Sequence, residues 1–379
     1  MPTQRTILFL GAGASRALGY PLTSEIFPRV LDRLKARTLF TDTNVVYPLT
    51  GEHKDVNSAG FLPDAMQVLE RELMALFPGV LTSADPPQIT EVLSLLDHLI
   101  FTGSSAIPRF PRERLTRLRG MLERAVATIV TEPDDTRDPV YRVLVERLVR
   151  WLVAESATAA PARHRLTVVT TNYDLALEKP LAAAIAEKHG TNRIDYGLNW
   201  RDPFELAEDG DEEVVRLRPE GAPLAFYKLH GSINWLRCPL CDHVYLNGFG
   251  PIFHQAYASR ARSENTCSCH HWPLGTLLVA PSMIRDIRDP SLLGIWQATL
   301  EAMRLAQRWI VVGYSLPPED LAIRSMFLRA SRGRTTAPTV ELYEHGARPE
   351  VEARYRLLFD QVTYNGGGFE TFINGLPVL

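Results

Sequence analysis

Two kinds of hydrophobic pattern alternate along this chain. Arg5 to Leu10 is a short apolar run ending at a glycine, the mark of a buried strand. Ser15 opens a helix that Gly19-Tyr20-Pro21 breaks. From about Ser24 to Thr158 the spacing is helical, as in Ala65, Val68, Leu69, Leu73 and Leu76, or Leu115, Leu118, Leu122 and Val126. Asp85-Pro86-Pro87 and Glu132-Pro133-Asp134-Asp135 separate these stretches. The spacing predicts a helical insertion, residues 24–158, that covers one side of a sheet. Strands and helices then alternate. Strands are expected at Leu166–Thr170, Ala225–Leu229, Thr276–Ala280, Trp309–Val312, Thr339–Tyr343 and Gln361–Tyr364. Helices are expected at Asp174–Ala186, Leu292–Ala306, Pro318–Ala330 and Glu350–Leu358, with Leu236–Leu274 irregular. Such alternation predicts an α/β fold, a parallel sheet with helices on both faces.

Composition narrows the class. The 379 residues are 45% apolar and 22% charged, which supplies a core and argues against disorder. Lys and Arg number 41 against 44 Asp and Glu, so no global basicity calls for nucleic acid and direct nucleic-acid binding is not expected. No signal peptide is visible and no apolar run is long enough to span a membrane, so a soluble, cytoplasmic protein is expected.

Three segments place small or polar residues where strands end, the position at which parallel sheets bind ligands. Gly11, Ala12 and Gly13 precede Ser15 in a glycine turn. Gly11 and Gly13 allow positive φ and let backbone N–H groups approach a phosphate closely. Arg16 stands where a third glycine would complete the dehydrogenase fingerprint, and no Walker lysine follows. Thr171, Asn172 and Asp174 end the second run. Asn172 either holds a ribose hydroxyl or a water, or caps a helix with Asp174. His230 is either a core histidine or a base for a ribose hydroxyl or water, with Gly231 opening access to its ring. Together the groups suit the cleavage of a dinucleotide better than hydride transfer.

At these residues the chain resembles the sirtuin family. Gly11-Ala12-Gly13-Ala14-Ser15 is similar to the family's cofactor loop, and Thr170-Thr171-Asn172-Tyr173-Asp174 to its Thr-Gln-Asn-Ile-Asp segment. His230-Gly231 is similar to its catalytic His-Gly, and Gly313-Tyr314-Ser315-Leu316 to a later cofactor segment. The resemblance implies a Rossmann-like NAD-binding core (1–23 and 159–379) with a small zinc module (236–275). It implies Asn172 on the ribose or attacking water and His230 as general base. Gly13, Ser15, Gly313 and Ser315 would line the cofactor site. The peptide-groove signatures of family deacetylases are missing: Leu22-Thr23-Ser24 and Val279-Ala280-Pro281-Ser282 stand in their places. That combination resembles bacterial anti-phage effectors that hydrolyse NAD+, often as oligomers and with a partner such as a HerA-like ATPase or another sensor. A protein deacylase and a non-catalytic NAD or ADP-ribose module are the alternatives.

All four cysteines fall in one stretch. Cys238 and Cys241 form a knuckle spacing, and Cys267 and Cys269 a tighter pair, with His270 and His271 adjacent. The cluster is read as structural zinc, with reduced loop cysteines as the other reading.

Overall fold

The computed structural model describes residues 4–16, 19–40, 61–102, 109–131, 139–156, 164–190, 194–206, 213–218, 222–238, 240–246, 275–279 and 289–377. Its centre is a seven-stranded, wholly parallel sheet. In spatial order its strands are β12 (Val362–Asn365), β11 (Thr339–Tyr343), β10 (Arg308–Val312), β1 (Thr6–Leu10), β2 (Leu166–Thr170), β6 (Leu224–Lys228) and β3 (Ile194–Asp195). These are runs of apolar and β-branched residues buried on both faces, as β2 is at every position. β1 lies between β10 and β2, with Leu10 opposite both Val312 and Thr170. The strand order reverses at the β1/β10 boundary, the place where such sheets open a binding crevice.

Helices cover both faces. α1 (Ala12–Arg16), α6 (Pro139–Glu155), α7 (Glu178–His189) and α11 (Gly368–Asn374) form one packed group. α8 (Pro290–Leu305) and α9 (Leu321–Arg332) form another, and α10 (Pro349–Leu358) packs beside β12. Caps fix the helix ends. Asp289 accepts from the N–H groups of Ser291 and Leu292 at the start of α8, and Gly190 closes α7 at φ 69°.

The remaining helices, α2 (Thr23–Lys35), α3 (Phe61–Leu76), α4 (Ile89–Thr102) and α5 (Arg112–Thr131), build a second core. It includes Phe27, Leu34, Leu69, Leu93 and Leu122. The expected insertion ran to residue 158, but α6 sends Leu148, Trp151 and Leu152 into the sheet's core instead. By packing, the insertion ends with α5.

A second, five-stranded sheet was not expected from the sequence. Its order is β5 (Glu213–Arg216), β4 (Trp200–Leu206), β8 (Val244–Leu246), β7 (Gly231–Arg237) and β9 (Gly275–Leu278). The stretch expected to be irregular after Leu236 thus holds β8, and the strand expected at 276–280 is β9 of this sheet. β6 ends at Lys228, and after a two-residue turn β7 begins at Gly231. His230 therefore stands at the junction of the two sheets.

Candidate active site

The carboxyl ends of β1, β2 and β6 bring three of the sequence segments together. Asn172 Nδ2 donates to the Gly11 carbonyl at 2.8 Å and to Ser15 Oγ at 2.7 Å. Ser15 Oγ donates in turn to Asp174 Oδ2 at 2.7 Å. Asp174 Oδ1 accepts from Ala176 N–H at 3.1 Å, which closes an Asx turn ahead of α7. Both amide protons of Asn172 are thus used, and its Oδ1 is left to accept from a ligand. The cap reading holds for neither residue: α7 begins at Glu178 behind Leu177 with no side-chain cap, and the other Asp174 oxygen is committed to Ser15.

His230 is 4% exposed. Its Nδ1 lies 3.2 Å from the Thr171 carbonyl, which can only accept, so Nδ1 carries a proton. The Tyr173 ring lies 6.2 Å from the imidazole, centre to centre. Gly231 does not open access to that ring. Its φ is 76°, and a Cβ there would stand 1.9 Å from the Leu277 carbonyl oxygen, so the glycine makes room for β9.

The glycine turn also differs from expectation. The positive φ lies at Gly313 (63°), not at Gly11 or Gly13. The Gly11 and Gly13 N–H groups donate to the Val312 and Gly313 carbonyls, each at 2.9 Å. They are engaged with protein and not offered to a phosphate. A Cβ on Gly11 would lie 2.5 Å from Gly313 O, and one on Gly13 2.8 Å from Gly313 Cα. These glycines let the β1 and β10 turns interlock across the switch point.

The Gly313–Leu316 turn is braced by residues the sequence did not single out. Tyr355 Oη donates to the Tyr314 carbonyl at 2.7 Å, Arg354 to the Ser315 carbonyl at 3.1 Å, and Arg324 to the Leu316 carbonyl at 3.2 Å. No sequence spacing marks these residues, because their acceptors are backbone atoms of a distant turn. Behind the Ser15–Asn172–Asp174 chain lies a cavity of about 30 Å³, also lined by Phe226 and Phe369, which holds roughly one water. At the next strand end Glu344 is 6% exposed and its Oε2 has no partner among the described residues; burial raises its pKa above the ordinary value, against the pull of Arg348.

Beyond β9, both backbone groups of Val279 are engaged. Its N–H donates to the His230 carbonyl at 2.9 Å, and its carbonyl accepts from Tyr173 Oη at 2.6 Å.

Cys238 and Cys241 flank the β7–β8 turn. Cys238 N–H donates to the His243 carbonyl at 2.9 Å, Asp242 N–H donates to the Cys238 carbonyl at 3.1 Å, and Asp242 has φ 59°. That tight turn suits two ligands of a tetrahedral metal. Cys267 and Cys269, with His270 and His271, lie outside the described residues. Among the described residues no group of three or more His, Cys, Asp or Glu side chains is placed to hold a metal. No helix among them is long and apolar enough to cross a membrane.

No family model and no curated protein matches the chain. Two solved sirtuin structures align with 98% of it. One is Sir2 with the inhibitor EX-527, 2'-O-acetyl-ADP-ribose and a deacetylated p53 peptide, at 12% identity over 91% of that chain. The other concerns sirtuin substrate affinity, at 11% identity over 92% of that chain. Both TM-scores are 0.35, too low to transfer anything to this chain.

Proposed function

We propose that the chain is an NAD+ glycohydrolase that releases nicotinamide and ADP-ribose. The observation that carries this reading is the hydrogen-bonded chain Asn172–Ser15–Asp174, set beside His230 at adjacent strand ends. Oxidised nicotinamide is a cationic leaving group on an anomeric carbon, and its loss leaves an oxocarbenium-like ribose. Such a reaction needs a held ribose, a polar group for the incoming water and a base. Asn172 Oδ1 takes the ribose hydroxyl or water, and His230 Nε2 takes the proton. Asp174 fixes Ser15, and Ser15 fixes the Asn172 amide. Gly11, Ala12, Gly13, Thr171, Gly313 and Ser315 form the turns that flank the cofactor.

Hydrolysis is preferred over peptide deacylation because Leu22-Thr23-Ser24 and Val279-Ala280-Pro281-Ser282 stand where family deacetylases carry their peptide-groove segments. On the motif resemblance, the reading extends to a bacterial anti-phage effector that depletes NAD+, acts as a homo-oligomer and is triggered by a protein partner. Zinc, held by Cys238, Cys241, Cys267 and Cys269, would brace the β7–β8 turn and take no part in the reaction.

The test is nicotinamide release from NAD+ by purified protein without peptide. Asn172→Ala and His230→Ala are each expected to lower it by about 10²–10⁴-fold, the range for loss of a positioned acid–base group. Full activity in both variants overturns the reading, and release that depends on an acylated peptide favours a deacylase. NAD+ bound but uncut even with cellular partners present favours a binding module. A freely active NAD+ hydrolase would poison its host, so a low resting rate is expected of the isolated protein.

A further inference from the structure

Lys228 closes β6 two residues before His230 and is 1% exposed. A buried ammonium needs a partner for each of its three protons. Lys228 Nζ has them: the Asp174 carbonyl at 2.6 Å, the Tyr173 carbonyl at 3.2 Å and Glu178 Oε2 at 2.5 Å. Two of the three acceptors belong to the irregular segment between β2 and α7 that carries Asn172 and Asp174. The third is the first residue of α7, itself 2% exposed.

Residues 171–175 have no secondary structure to hold their backbone, although the segment is only partly exposed. Buried carbonyls without ladder partners must find donors elsewhere. Ser232 Oγ and Ile233 N–H reach the Tyr173 carbonyl from β7, at 3.3 and 3.2 Å. Lys228 alone spans from that carbonyl to the next one and on to α7. It fixes the peptide plane of Asp174, whose carboxylate fixes Ser15, whose hydroxyl meets the Asn172 amide.

We infer that Lys228 is the positioning residue of the site: its ammonium sets the backbone of Tyr173 and Asp174, and so aims the Asp174–Ser15–Asn172 chain, without touching substrate. As a role in catalysis this rests on the NAD+-cleaving reading, but the positioning itself is measurable without it. The alternative is that Lys228 and Glu178 form an ion pair that merely stabilises the fold.

The variants separate the two. Glu178→Gln removes the charge pair but leaves an amide oxygen for Lys228, so the carbonyl contacts survive. The double variant Lys228→Met with Glu178→Gln removes both charges, which avoids a lone buried ion, and also removes the carbonyl contacts. Hydrogen exchange of the Asn172 and Ala176 amides is the first readout. In the double variant it is expected to speed by about tenfold or more, while β1 and β10 keep their protection. Glu178→Gln alone is expected to leave the segment protected. The inference is overturned if the double variant leaves the segment's exchange unchanged, or speeds β1 and β10 equally. It is also overturned if Glu178→Gln loosens the segment as much as the double variant does. The second readout is nicotinamide release, where kcat should fall roughly 10²-fold with KM little changed, as for a misaimed group. If the wild-type protein releases none even with cellular partners present, the NAD+ reading fails while the exchange result still decides the role of Lys228.

Discussion

At the scale of single residues, glycines and carbonyls do much of the site's construction. Gly231 has φ 76° and no room for a Cβ beside Leu277 O. Gly231→Ala is expected to cost about 1–3 kcal/mol in strain and overpacking, and to pull β9 off β7 beside His230. Thermal unfolding gives the cost, and an unchanged melting temperature would show that β9 yields freely. The residues of the candidate site were legible in the sequence, because the glycine turn, Asn172, Asp174 and His230 each follow an apolar run. The residues that aim them were not. Lys228, Arg354 and Tyr355 act on backbone carbonyls, and carbonyls leave no residue-type signal in a sequence. The same limit explains Gly11 and Gly13, where close approach and positive φ predict the same residue type and only geometry tells them apart.

At the scale of elements, the parallel strands were legible because both of their faces are buried, which leaves unbroken apolar runs. The second sheet was not. β4 breaks a period of two with Arg201 and Asp202 adjacent, and β7 alternates only over Ser232, Ile233, Asn234 and Trp235, too short a run to stand out beside the long apolar strands. The edge strand β3 ends on Asp195, whose carboxylate accepts from Gly197 N–H, Arg218 and Tyr227 Oη, with His164 nearby. Burial pushes its pKa up, but the hydrogen bonds from His164 and Arg218 outweigh burial and hold it below the ordinary value. A carboxylate with a lowered pKa in the fold adds stability above its unfolded value of 3.8 and loses it as pH falls through the folded value. Unfolding free energy should therefore drop on the acid side, and Asp195→Asn should flatten that drop. An equally steep acid limb in Asp195→Asn would remove Asp195 from the account. The same network, with burial leading, raises the Tyr227 pKa well above the ordinary phenol value, so its hydroxyl stays a donor throughout.

At the scale of the whole molecule, the two cores meet at the site. Ile233 belongs to the insertion's core, and Tyr173, Leu175 and Leu278 pack against it. The segment that carries Asn172 and Asp174 is thus held by the sheet on one side and by the insertion on the other. Leu93 is fully buried in the insertion. Leu93→Ala is expected to cost about 2–5 kcal/mol and to lower nicotinamide release even where the protein remains folded. Release per folded molecule equal to wild type would show that the insertion is a passenger. A last consequence comes from the place of β1, which gains its second neighbour only from β10 and whose turn locks onto Gly313. During synthesis, domains fold as their sequence emerges, amino-terminal parts first. Here the first strand must wait for residues 308–312 to leave the ribosome. Under the NAD+-cleaving reading, a nascent chain stalled earlier is expected to be inert towards NAD+, and the activity would arise only after residues 308–312 have emerged.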